Sequence, residues 1–285
     1  MRTALATVNY DYEGVHYTRE YFNSYPDNIM AVRLSADQAG KISFDTNLEN
    51  LINGTAYTNT VDGDTITMRD ALPTNGLNVE AQLKVINEGG SLSTGTNGGN
   101  PAITVSGADA VTLIFACGTD YKMELPNFRG EDPHKAVTAR INAAAKKGYE
   151  ALKADHVADH DALFSRVELG FDEEIPQIPT DELIKKYRNM IENNGGDIPT
   201  SAEQRALEIM CYQFGRYLTI AGSRDGALPT NLQGVWGEGW FTWYGDYHFN
   251  INVQMNYWPT MASNLSECMK PYNDLLNVLK QAGRN

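Results

Sequence analysis

The chain has 285 residues, 42% of them hydrophobic and 10% aromatic, enough to bury a real core in one large or two ordinary domains. Its formal net charge of −13, with lysines and arginines scattered apart from short pairs such as Lys146 and Lys147, would repel a phosphate backbone or an anionic membrane surface. Nucleic acid is therefore set aside and a neutral substrate fits better; no apolar stretch reaches the length of a membrane span, and Met1-Arg2-Thr3 lacks the apolar core of a signal peptide.

From Thr7 to about Cys117 the pattern is that of strands. Val15, Tyr17, Arg19 and Tyr21 alternate with His16, Thr18, Glu20 and Phe22; Met30, Val32 and Leu34 share one face of the next run, and Val79, Ala81, Leu83 and Val85 one face of another. Turn signals separate the runs at residues 25–28, 39–40, 53–54, 62–64 and 89–90, and Ser91 to Asn100 reads as a polar loop. Such spacing predicts an antiparallel sandwich, entered at a strand with no partner before it and so expected to be incomplete. Helical signals follow Asp132-Pro133, with Ala136, Ile141, Ala144 and Ala145 leading to Gly148 and then Tyr149, Leu152, Leu163 and Phe164. Residues 171–181, with Pro176 and Pro179 among acids, have the composition of a boundary. A second helical region starts near Thr200-Ser201-Ala202-Glu203 with an apolar stripe of Leu207, Met210, Cys211, Phe214, Leu218 and Ala221. A Gly/Pro-rich aromatic loop runs from Gly222 to about Asn250, and a last helix from near Pro271 carries Leu275, Leu276 and Leu279.

Several local patterns carry no chemistry. Cys117, Cys211 and Cys268 are an odd, widely spaced set, read as buried free thiols. His156 and His160 have metal-ligand spacing on a helix but stand among Lys153, Asp155, Asp159 and Asp161, as a solvated face would; no metal and no cofactor are expected. The glycines of residues 91–99 lack the lysine and helix entry of a phosphate loop, and the glycosylation patterns at Asn53 and Asn264 are short enough to arise by chance.

All four tryptophans fall between Trp236 and Trp258, interleaved with Phe241, Tyr244, Tyr247, Phe249 and Tyr257 and with Gln233, Asp246, Asn250, Asn252, Gln254 and Asn256. A pyranose needs both kinds of neighbour: aromatic faces for its C–H surfaces, amides and carboxylates for its hydroxyl rim. A packed aromatic core accounts for the rings equally well, but not for the polar half.

The run from Leu228 to Cys268 holds L-P-x-N-L-Q-G-x-W, then D-Y-x-x-N-I-N-x-Q-M-N-Y-W-P, then N-L-x-E. It closely resembles the inverting α-L-fucosidase family. The likeness extends back through residues 212–218, Ser223-Arg224, D-H-x-x-D-x-x-x-L-F-x-R-V (Asp155 to Val167), G-A-D-A-V-T-L (Gly107 to Leu113) and Y-T-R-E-Y-F-x-S-Y-P-D (Tyr17 to Asp27), nearly the whole chain. It implies a multidomain β-then-α chain: a partial antiparallel β super-sandwich over residues 1–130, a helical linker over 131–180, and the first helices of an (α/α)6 barrel over 181–285. The sandwich is expected to lack its start and the barrel its end, as in an internal fragment.

The activity implied is release of terminal α-L-fucose, typically α-1,2-linked to galactose, with inversion. An inverting glycosidase places a general acid and a base roughly 6.5–9.5 Å apart, with room for water between. In this family the base function resembles a relay in which an asparagine holds the water and a distant aspartate polarises it. The two asparagines of N-x-N match Asn250 and Asn252; Asn252 is taken as the water-polarising residue, Asn250 stands beside it, and His248, Gln233, Trp236 and Trp258 are candidates for contact with the sugar. If residues 248–252 are extended, positions 248, 250 and 252 share one face. The family's acid glutamate and polarising aspartate lie downstream of anything matched, and Asp246, Glu238 and Glu267 read as structural. The chain alone is thus expected to be inactive or nearly so, since general acid–base catalysis contributes about 10²–10⁴ per group. The expected partner is a fucosylated oligosaccharide or glycan; alternatives are an α-L-galactosidase of the same family and a non-catalytic glycan-binding protein, with a related phosphorylase disfavoured because only Arg224 stands near the motif. The sequence sets no oligomeric state and, with its start read as missing, no compartment, though secretion or a periplasmic site would suit glycan feeding.

Overall fold

A computed structural model describes residues 1–49, 57–170, 177–193, 202–237 and 242–284. The turn and glycosylation pattern at Asn53-Gly54, the first half of the 171–181 boundary, the cap at Thr200-Ser201, and Glu238 and Phe241 lie outside the described residues. Antiparallel sheets come first and helices after, as expected, and the chain divides into two compact units, essentially residues 3–160 and residues 161–236 with 242–276.

In the first unit, β1 (Ala6–Tyr12), β2 (Val15–Ser24), β3 (Ile29–Ala36), β10 (Ala110–Thr119), β7 (Asn78–Glu88), β6 (Thr65–Ala71) and β5 (Thr58–Asp62) form one sheet in that spatial order. A smaller sheet has the order β4 (Ile42–Thr46), β9 (Asn100–Ala108), β8 (Ser91–Asn97), and all pairings described are antiparallel. The period of two assigns each face. Along β10, Val111, Leu113 and Phe115 join Ile66, Leu83 and Val85 of the large sheet and Ile42, Ile103, Val105 and Ala108 of the small one, making the sandwich core. Ile114 and Ala116, one residue out of phase, face the other way and pack with Phe22, Ile29 and Ala31 against Val137, Ile141 and Ala144 of α1 (His134–Lys147) and Tyr149 and Leu152 of α2 (Tyr149–Phe164). Each such aliphatic side chain taken from water contributes roughly 1.5–3 kcal/mol. Ion pairs rim the same face: Lys153 Nζ reaches Glu20 at 2.6 Å, and Lys147 Nζ reaches Asp27 at 2.6 Å.

Three expectations fail in this unit. Residues 91–100 are not a loop: β8 and β9 make a hairpin turning at Gly98-Gly99, where positive φ values of 57° and 87° suit glycine. His156 and His160 do not face solvent but are 5% and 4% exposed, with His156 stacked 4.9 Å from Phe22 and its Nε2 3.2 Å from the Ala4 carbonyl. Their acidic neighbours lie around the rest of the helix, and the buried side needs only the rings. Cys117 is exposed rather than buried: it shares the face of Leu113 and Phe115, the side of β10 away from α1, while Arg140 of α1 reaches its carbonyl at 3.0 Å.

The second unit holds α3 (Thr180–Asn193), α4 (Ala202–Gly222), α5 (Asn252–Ala262) and, up to Leu276, the first part of α6 (Lys270–Ala282), with 3-10 turns at Thr242–Gly245 and Ser266–Met269. Its core joins Leu163 and Phe164, the L-F of the linker motif, to Ile220, Leu265 and Cys268, whose thiol burial raises to about 11 and so keeps protonated. The expected stripe of α4 is not the buried one: Phe214 is 50% exposed and Cys211 is exposed, whereas Ala206, Arg216 and Ile220 are buried. Arg216 earns its burial by satisfying carbonyls, those of Leu163 (3.0 Å), Phe164 (2.7 Å), Val167 (3.3 Å) and Ser263 (3.3 Å). Among the described residues no helix is long and apolar enough to cross a membrane.

Candidate functional site

The site is assembled by α5 and the two loops that precede it. Asn252 is the first residue of α5 and exposed, so it stands where a helix leaves N–H groups without intrahelical partners. The preceding residues are not extended, contrary to the conditional expectation: His248 (φ 43°) and Ile251 (φ 85°) are left-handed and residues 249–251 turn. The turn is closed by the Val253 N–H donating to the His248 carbonyl (3.3 Å) and by the Gln254 amide donating to the Phe249 carbonyl (2.7 Å). A run of N-x-N inside a strand would space its amides by two residues along a line; here they meet the solvent at a tight turn and a helix start. His248 and Asn250 are exposed, and His248 Nε2 lies 3.3 Å from an Asp246 carboxylate oxygen.

The loop of residues 223–237 is held against this turn from both sides. Asn256, one turn into α5, donates its side-chain amide to the Asn231 carbonyl at 2.7 Å. The Leu232 N–H donates to the Asp246 carbonyl at 3.1 Å, joining the loop to the residue that pairs with His248. Within the loop, Asn231 Oδ1 accepts the Gln233 N–H (2.9 Å), and Asn231 and Gly234 exchange backbone hydrogen bonds of 2.9 and 3.0 Å. Gly234 is left-handed at φ 72°, and a Cβ there would come within 3.1 Å of the Trp236 ring. The turn thereby presents Gln233, half-buried with an amide oxygen that is buried and has no hydrogen-bond partner among the described residues, and Trp236, 46% exposed.

A chain of hydroxyls fixes the base of the loop. Ser223 Oγ donates to the Cys268 carbonyl (2.8 Å), using its only hydrogen, so the Tyr257 hydroxyl donates to Ser223 (2.8 Å) and accepts the Thr230 N–H (3.0 Å). Tyr257 is 4% exposed and stacks 5.1 Å from Tyr272. Ser223, Asn231, Asn256 and Tyr257 hold the loop to α5; the sequence placed all four inside the motif segments, and Asn256 and Tyr257 in the aromatic and amide run, but gave none of them a role, because their partners are mostly backbone groups that no spacing rule names.

Five of the six candidates, Gln233, Trp236, His248, Asn250 and Asn252, thus belong to one hydrogen-bonded assembly. Trp258 is set apart: it is 61% exposed and lies six residues after Asn252, which turns it about 120° away around α5. A groove of about 430 Å³ between α4 and α5, lined by Cys211, Tyr212, Thr219, Pro259, Thr260 and Leu265 among others, includes none of the six. Of the carboxylates near the motif, Glu267 is bound to Arg166 at 2.7 Å, which holds it below the ordinary glutamate range. Among the described residues no group of three His, Cys, Asp or Glu side chains could hold a metal ion. What the assembly offers chemically is a set of neutral amides, an imidazole and an indole at an exposed helix start, suited to a neutral, hydroxyl-rich ligand.

Residues 148–285 match the glycosyl hydrolase family 95 catalytic domain, and residues 1–124 the glycosyl hydrolase family 65 N-terminal domain. Among curated proteins, "Probable alpha-fucosidase A" of Aspergillus niger is 34% identical over 264 residues, covering 89% of this chain and 32% of that protein. "Alpha-L-fucosidase 2" of Arabidopsis thaliana is 30% identical over 309 residues, 100% of this chain and 36% of its own. "Probable alpha-fucosidase A" of Aspergillus oryzae is 28% identical, covering 93% of this chain and 37% of that one. The chain therefore spans about a third of the length of the curated relatives it matches.

Proposed function

Because the chain belongs to the fucosidase-like glycosyl hydrolases, its sheets to the family 65 type of N-terminal domain and its helices to the family 95 catalytic domain, we propose that the whole protein releases terminal α-L-fucose from fucosylated glycans. The observation that carries this reading is the joining of Gln233, Trp236, His248, Asn250 and Asn252 through α5 and its two loops, an amide-rich and largely exposed site whose charged groups, among the described residues named here, are the Asp246–His248 pair.

In the proposed reaction Asn252 holds a water with its side-chain amide at the helix start, Asn250 stands beside it, and His248, Gln233, Trp236 and Trp258 contact the sugar. The water attacks the anomeric carbon on the face opposite the glycosidic oxygen, and the C–O bond to the leaving group breaks. The water's proton passes to a base, and the leaving oxygen takes a proton from a general acid, giving inversion. None of the residues named here is placed as that acid or as the carboxylate that polarises Asn252, so the 285-residue polypeptide by itself is proposed to be inactive. The linkage proposed is α-1,2 to galactose.

Time-resolved release of L-fucose from 2′-fucosylated lactose tests this, using the 285-residue chain beside a form extended to the length of the curated relatives. Release by the extended form alone supports both halves of the proposal. Release by the short chain at a similar rate would overturn its inactivity, and release by neither would overturn the fucoside reading in favour of an L-galactoside or of glycan binding without turnover.

A further inference from the structure

Asn250 and Asn252 are separated by one residue, Ile251, whose backbone angles set how the two amides stand to each other. Its φ of 85° with ψ of −32° is a conformation that a β-branched side chain resists and that glycine adopts freely. His248, at φ 43°, begins the same turn. Strain of this kind persists only where surrounding bonds over-determine it. Besides the first helical bond of α5, from the Met255 N–H to the Ile251 carbonyl at 2.9 Å, two bonds close over these residues. The Val253 N–H donates to the His248 carbonyl at 3.3 Å, and the Gln254 side-chain amide donates to the Phe249 carbonyl at 2.7 Å. The second is the shorter, and it spans both asparagines. The orientation of the Gln254 amide follows from its partner. A carbonyl only accepts, so the nitrogen must face it, and Oε1 is left buried with no hydrogen-bond partner among the described residues. The amide is therefore turned toward Phe249 at the cost of its own oxygen.

We propose that Gln254 is a positioning residue for hydrolysis: its bond to Phe249 holds Ile251 at positive φ and so fixes the angle between Asn252, which takes the water, and its neighbour Asn250; the proposal rests on the fucoside reading above. Without that bond Ile251 relaxes toward negative φ. The rotation lies between the two asparagines, so it turns one amide against the other. The loop that carries Gln233 and Trp236 is tied to α5 through Asn256, one turn further on, and keeps its place. Contacts of that loop with the sugar therefore survive a change that misaligns the water. The signature is loss of turnover without loss of binding, and a misplacement of about 1 Å at reacting atoms costs up to about 100-fold.

The test compares the extended, active enzyme on 2′-fucosylated lactose with Gln254→Met, which keeps the length of the side chain and removes the donor, with Ile251→Gly, and with the two together. The expected result for Gln254→Met is a fall in kcat of roughly 10–100-fold with KM within about two-fold. The same change in the Ile251→Gly background should cost several-fold less, because a residue without Cβ reaches that φ unaided. Gln254→Glu gives a second reading within one protein. Its kcat, as a ratio to that of the unmutated enzyme at each pH, should recover as acidification returns a proton for the Phe249 carbonyl to accept. If Gln254→Met does not fold, this ratio decides. No fall in kcat, a rise in KM in its place, equal falls in both backgrounds, or a ratio that does not change with pH would overturn the positioning role. An unmutated enzyme that releases no fucose would instead remove the fucoside reading, and the positioning role with it.

Discussion

The side-chain amide of Asn256 and the backbone carbonyl of Asn231 meet at 2.7 Å, tying the helix that begins with Asn252 to the loop that carries Gln233 and Trp236. Asn256→Asp would set a carboxylate against that carbonyl and against the Thr230 carbonyl 3.5 Å away. The expected outcome in the active enzyme is a roughly ten-fold fall in kcat/KM, with partial recovery at acid pH as the new carboxyl regains a proton to donate. Kinetics across a pH series on the variant check it; a loss that does not depend on pH would contradict the donor role.

Tyr257→Phe removes the hydroxyl that links Thr230 to Ser223. It leaves the partly buried Thr230 N–H without its acceptor and should cost roughly 1–3 kcal/mol of stability. Ser223→Ala should cost less after Tyr257→Phe than alone, because the two share one bond. Thermal unfolding of the four proteins of this cycle gives the coupling, and strictly additive losses would contradict the ordered chain.

Arg216 is 2% exposed and bonds the carbonyls that end α2 and follow α5. Arg216→Met should destabilise by about 3 kcal/mol or more, since several carbonyls lose donors together. Arg216→Lys should not restore the loss, because one ammonium cannot reproduce the planar fork. Denaturant unfolding of both variants measures this, and full rescue by lysine would show that only charge mattered.

Two carboxylates are held below the ordinary range by guanidinium partners, Glu267 by Arg166 and Glu88 by Arg33, each at 2.7 Å. A depressed native value means that their contribution is fully present above the unfolded glutamate value of about 4.3 and is lost as pH falls through the lower native one. The melting midpoint should therefore hold between neutrality and about pH 5 and fall below about pH 4. Arg166→Gln should flatten part of that acid slope; an unchanged slope would show the pair to be without effect on stability.

The strands were legible because one face of each is buried and the period of two writes that burial into the sequence, as in Val79, Ala81, Leu83 and Val85. The hairpin of residues 91–108 was hidden by β8, whose outward row of Ser, Thr and Gly mimics a loop. On α4, an apolar stripe that includes the exposed Phe214 drew attention from Arg216, whose burial depends on carbonyls distant in sequence. The start of α5 was concealed for a similar reason: its residues are Asn, Gln and aromatics with Pro259 inside, a composition that reads as loop until tertiary contacts fix it. The motif residues themselves were found by resemblance, but the turn that displays them at a helix start was not.

Asn252→Ala should lower kcat by at least about 100-fold with little change in KM, as expected for a group that acts on the attacking water rather than in ground-state binding. The most direct measurement of the whole account is proton NMR of 2′-fucosylated lactose during its first turnovers by the extended enzyme, with Asn252→Ala beside it. The account predicts that β-L-fucose accumulates first from the unmutated enzyme and mutarotates later, while the variant releases almost none. Early accumulation of α-L-fucose, or undiminished release by Asn252→Ala, would contradict it.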